Sequence, residues 1–154
     1  MDELIKTDDF KIVLENALNN DSNEQITKLT RAKIDEYKNN IFDQINIDGN
    51  QKKELLEKLE LYRFIDDIND FKEGSYIRWI NLSKINNVDE IKLVNGGYIS
   101  EIKMQEDDVH IVCKLLWGRR GVRHIELLGG NNLIFQKLTD QEQIILSVLE
   151  YLNN

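Results

Sequence analysis

Near Lys72 the spacing of apolar residues switches from a helical repeat to an alternating one, and that switch limits the chain to an α+β architecture. Upstream, Phe10, Val13, Leu14, Ala17 and Leu18 recur at i, i+3, i+4, i+7 and i+8, one stripe on one helix. Thr7 serves as its cap, and Asp8 and Asp9 suit the N-terminal dipole. Ser22 and Gln25 form a capping-box pattern ahead of a second helix carrying Ile26, Leu29, Ile34, Tyr37, Ile41 and Ile45. Asp48-Gly49-Asn50 ends it, and a third helix carries Leu55, Leu56, Leu59, Tyr62, Ile65 and Ile68 before stopping ahead of Gly74.

Downstream, residues 76–83 read as a strand. Residues 91–94 and 97–104 flank Asn95-Gly96, the strongest short hairpin signal in the chain. Glu106-Asp107-Asp108 is a polar turn, and residues 109–117 and 122–128 flank a second hairpin turn, Gly118-Arg119-Arg120-Gly121. Tyr98, Ile102 and Met104 share one face of their strand; Ile111, Cys113, Leu115 and Trp117 share one face of the next. Gly129-Gly130-Asn131-Asn132 turns into residues 133–138. Thr139-Asp140-Gln141-Glu142 is a capping box for a last helix with Ile145, Val148, Leu149 and Leu152 on its apolar face.

The expected fold is therefore about three N-terminal helices packed on a small antiparallel β-barrel or strongly bent meander sheet of roughly five to six strands, closed by a C-terminal helix. One domain is expected over 1–154, with a helical subregion 1–71, a β subregion 72–138 and the closing helix at 139–154.

Composition narrows the function classes. Cys113 is the single cysteine, so no internal disulfide forms and nothing points to an oxidising compartment. MDELIKTDDF has neither the basic nor the apolar region of a signal peptide, and no apolar run approaches the ~18 residues of a membrane span. A soluble intracellular protein without a membrane partner is expected. The net charge of −8 opposes long-range attraction to nucleic acid. That acidity is uneven: residues 1–71 hold 10 Lys/Arg against 17 Asp/Glu, whereas residues 72–154 hold 10 against 11. A local basic site in the β half is thus compatible with the composition.

His110, Cys113 and His124 are the soft metal ligands. His110 and Cys113 stand three apart on one strand and face opposite sides, and His124 falls opposite Leu115. A buried thiol and two surface imidazoles is the favoured reading, with no metal and no cofactor. Asp89 with Glu101-Ile102-Lys103 matches the carboxylate-lysine pattern of metal-dependent nucleases, but Glu90-Ile91-Lys92 repeats the tripeptide by chance, and an exposed polar strand is favoured. Asp66, Asp67 and Asp70 lack the spacing and central glycine of a calcium loop and read as a solvated acidic patch near Arg63. No catalytic motif is present, so a non-enzymatic protein is expected. The most informative surface is the Arg-rich hairpin. Trp117, Arg119, Arg120 and Arg123 cluster there, and Arg78 and Trp79 form a second arginine-aromatic pair; such sets bind nucleic acid or a protein partner on small barrels. Given the overall acidity, a solvated turn flanked by glycines, with Trp117 in the core, is the favoured reading.

Three runs carry a family likeness: Gly74-Ser75-Tyr76-Ile77-Arg78-Trp79-Ile80-Asn81-Leu82, Leu93-Val94-Asn95-Gly96-Gly97-Tyr98 and Asn132-Leu133-Ile134-Phe135-Gln136-Lys137-Leu138-Thr139. Over roughly residues 70–150 the chain resembles uncharacterised proteins of large cytoplasmic DNA viruses, the marseilleviruses and mimiviruses. The 20 isoleucines and 17 asparagines agree with an AT-rich genome. The resemblance implies a virion-associated or infection-related homodimer, in the virion or host cytoplasm, with no assigned activity. The apolar helices between Ile26 and Ile68 are the expected dimer surface.

Overall fold

The computed structural model describes residues 8–23, 25–45, 47–83, 91–116 and 121–153. Among these the chain is α+β, with helices α1 (Asp8–Asn19), α2 (Arg31–Gln44), α3 (Gly49–Lys58) and α4 (Asp140–Asn153). The strands are β1 (Tyr62–Ile65), β2 (Tyr76–Asn81), β3 (Gly97–Gln105), β4 (Asp108–Leu115), β5 (Arg123–Leu128) and β6 (Asn132–Lys137). Two compact units result: Met1–Glu36 with Leu138–Asn154, and Tyr37–Lys137.

In the first unit Ala17, Ile26, Ile34, Leu138, Ile145 and Leu146 form the core. The capping box forms as expected: Glu142 accepts from the Thr139 N–H at 2.9 Å, and the Thr139 hydroxyl accepts from the Glu142 N–H at 3.1 Å. The expected second helix starts late. Residues Asp21–Asn23 and Gln25–Lys28 are 3₁₀ turns, and Asn23 donates to the Ala17 carbonyl at 2.9 Å and to Gln141 at 3.0 Å. Those tertiary bonds hold the segment out of a helix, which begins once the Thr30 hydroxyl accepts from the Lys33 N–H at 3.1 Å.

The second unit is an antiparallel sheet of order β1-β6-β2-β3-β4-β5, open at β1 and β5 and so not a closed barrel. A flat sheet of that order would separate β5 from β6 by about 19 Å, four strand spacings. The connection Gly129–Asn131 reaches at most about 14 Å, and Asn132 donates to the Leu128 carbonyl at 2.9 Å. The sheet must therefore bend. Its concave side encloses Ile77, Trp79, Ile99, Ile111, Cys113, Leu115, Leu127 and Ile134, drawn from five strands. On the other side Phe42 of α2, Leu55 of α3 and Leu59 just beyond it cover Ile80, Leu133 and Phe135, with the Phe42 and Phe135 rings stacked at 5.5 Å.

The third helix departs from expectation. It ends at Lys58, where the buried Lys38 ammonium donates to the Leu59 carbonyl at 2.9 Å and satisfies the helix end. Tyr62–Ile65, spaced to suit a helix, instead alternates in burial and pairs with β6. Ile26, Ile34, Leu55, Leu59 and Ile65 are buried within the units, while Tyr37 and Leu61 of the same stretch stay exposed.

Asn95-Gly96 does not turn a hairpin. Leu93 bridges Ile80, and Gly97 pairs with Ile77, so the chain beside β2 takes four steps while β2 takes three. That extra residue is a β-bulge. Gly96 sits at φ 107, where an added Cβ would come within 2.3 Å of the Ile77 carbonyl oxygen. Arg78 Nε donates to the Val94 carbonyl at 2.9 Å and the Tyr76 hydroxyl donates to that of Asn95, so side chains satisfy the bulged backbone. A second irregularity between Ile99 and Glu101 shifts the face of β3. Tyr98 is exposed and Ile99 buried, yet Ile102, of the same parity as Tyr98, packs against the concave core, contrary to simple alternation. The tight turn between β3 and β4 falls at Glu106 and Asp107, within the polar turn expected there, with φ 52 and 64. Gly96→Ala should destabilise the protein by about 2 kcal/mol or more, through both positive φ and the backbone clash, read as a lower midpoint in chemical denaturation.

Candidate nucleic-acid interface

Residues paired across neighbouring strands project from the same face. Tyr62 stands opposite Lys137, Tyr76 opposite Tyr98, Tyr98 opposite Lys114, and Lys114 opposite His124. Carrying the β2–β6 register one residue past Ile77 and Gln136 sets Tyr76 beside Lys137. The row Tyr62, Lys137, Tyr76, Tyr98, Lys114, His124 thus crosses all six strands on the face opposite Trp79.

The Tyr76 and Tyr98 rings meet edge to face with centroids 5.1 Å apart, and Tyr98 stays 41% exposed. Lys114, His124 and Lys137 are exposed, whereas Tyr62 and Tyr76 are half-buried. Burial, then the neighbouring Tyr76, pushes the Tyr62 phenol above its ordinary pKa, and the Arg78 cation opposes this. Arg78 lies in the adjoining row with Phe135 and Phe64. On the opposite flank Glu101, Val112 and Glu126 form an acidic border. There Glu126 meets His110 Nδ1, and Lys103 Nζ lies 3.9 Å from its carboxylate.

The expected site residues separate. Trp79 is 4% exposed and belongs to the concave core, so it offers no stacking surface. Arg78 reaches the tyrosine-lysine face but also serves the bulge. Arg123 is exposed at the start of β5, opposite the buried Leu115. Trp117, Arg119 and Arg120 lie outside the described residues, as does Asp89. His110 and Cys113 do face opposite sides; His124 pairs with Lys114, one residue from the expected Leu115. Asp66, Asp67 and Asp70 follow β1 and do not end a helix; burial raises the Asp70 pKa, and Arg63 opposes that rise. Among the described residues no group of three or more His, Cys, Asp or Glu could hold a metal ion, and no helix is long and apolar enough to cross a membrane.

The row escaped sequence reasoning because Tyr62 fits a helical spacing and Tyr98 an inward-facing one. No family model, curated protein or solved structure matches the chain.

Burial pushes the Cys113 thiol up to about 12, from an ordinary value of 9.0. Its contribution to stability is fully present below pH 9.0 and is lost as pH rises towards 12, because the unfolded thiol ionises first. Denaturation midpoints should therefore fall more steeply across that alkaline window in the native protein than in Cys113→Ala.

Proposed function

We propose that this chain is a non-enzymatic nucleic-acid-binding module that uses the outer face of its sheet. One observation carries the reading: strand register gathers Lys137, Lys114, His124 and three tyrosines into a row without a carboxylate, in a chain whose net charge is −8. Lysines neutralise phosphate, and the tyrosines supply apolar, hydrogen-bonding neighbours for sugar and base. The interface differs from the arginine hairpin suggested by sequence, whose Trp117, Arg119 and Arg120 lie outside the described residues. The resemblance to giant-virus proteins implies a virion or host-cytoplasm setting, where nucleic acid is an abundant polyanion.

Fluorescence anisotropy with labelled DNA and RNA at low salt tests this. Binding should weaken with added salt, and Lys114→Gln/Lys137→Gln should lower the log–log salt slope by about 0.7 to 0.9 per lysine removed. Absence of binding to every probe at low salt would sink the reading.

A second reading rests on the first unit, where α1 leaves Ile12, Val13 and Leu18 exposed and α4 leaves Tyr151 and Leu152 exposed. Self-association through these side chains would cover them. Light scattering should then report a dimer that Ile12→Glu/Leu18→Glu dissociates; a monomer at every concentration measured excludes it.

A further inference from the structure

We infer that the ligand of the sheet face is a single strand, laid across the β-strands with a base stacked on Tyr98; this deepens the nucleic-acid reading and rests on it. The direction follows from charge. A chain running parallel to the β-strands would pass from the row onto Glu101 and Glu126, about 7 Å away. A chain following the row meets Lys137, Arg78, Lys114 and His124 in turn and avoids the acidic border. Five strand spacings give this path a length of about 24 Å along the surface, enough for a short oligonucleotide at the lower end of known site sizes.

The strandedness follows from the aromatic groups. Duplex nucleic acid presents phosphates outward and keeps its base faces against one another, so tyrosines in a sheet surface gain nothing from their rings. An unpaired base offers a face. Tyr98 is the ring with most area free for it, and Tyr76 supports Tyr98 edge-on at 5.1 Å. The Tyr76 hydroxyl is engaged by Asn95, which fixes that support to the bulge. Stacking of this kind tolerates any base, so weak sequence preference accompanies it. Leu116 and Val122, each two residues along the chain from Lys114 and His124, are exposed.

The test compares labelled oligothymidine, oligouridine and a DNA duplex of equal length, with the full chain at low salt. The single strands should bind about ten-fold or more tighter than the duplex. Tyr98→Ala should weaken single-strand binding by about five- to a hundred-fold and leave duplex binding unchanged, while Tyr98→Trp should retain it. Circular dichroism confirms folding of each variant, as expected for a side chain at the surface. Equal affinity for duplex and single strand, or indifference to Tyr98→Ala, overturns this inference while the broader reading stands. Failure of all three probes to bind removes both.

Discussion

The backbone ladder of β6 serves two neighbours at once, and the second unit depends on it. β1 and β2 pair along its opposite edges, so its amide and carbonyl groups are satisfied without water. Its side chains divide the same way. Leu133 and Phe135 meet Phe42, Leu55 and Leu59 on one face, and Ile134 enters the concave core on the other. Gln136, almost wholly buried, accepts from the Lys72 N–H at 2.9 Å and donates to the Asp70 carbonyl at 3.1 Å, so it holds the segment between β1 and β2 like an additional strand. β6 is thus where the bend of the sheet, the helix packing and the 66–75 segment are joined. The tyrosine-lysine row inherits its alignment from this strand, because β6 supplies Lys137 and fixes β1 against β2.

What the sequence discloses depends on how local each interaction is. The Thr139–Glu142 box was legible because donor and acceptor lie three residues apart and need nothing else. The α+β division and most strands were legible for a similar reason, since burial on one face imposes a period on the chain. Asn95-Gly96 misled because hairpin turns and bulges draw on the same chemistry, a glycine at positive φ; which is formed depends on whether residues 91–94 pair with β2 or β3. Tyr62 misled because Leu55, Leu59 and Tyr62 keep helical spacing right through a helix end imposed by Lys38 from another element. The row itself joins positions 62, 137, 76, 98, 114 and 124, and no periodicity spans such separations.

Overall charge and local charge differ in this chain. The acidity that opposes nucleic acid at long range is concentrated in the first 71 residues, and the sheet row keeps its cations together. At an ionic strength where screening acts beyond ~10 Å, contacts within the row count more than the distant field. In the proposed complex, low salt strengthens lysine–phosphate contacts and the general repulsion together, so affinity need not follow net charge.

The composition of the first unit sets an order of assembly. Its core joins Ala17, Ile26 and Ile34 to Leu138, Ile145 and Leu146, whereas the second unit is one continuous stretch, Tyr37–Lys137. On the ribosome, α1 emerges before the sheet, and α4, which packs in the same core, emerges more than a hundred residues later. The sheet can complete its ladders before α4 is available, while α1 waits for the helix that completes its core. Vectorial synthesis therefore completes the two units out of order: the continuous sheet unit can mature before α4 joins the core of the first unit.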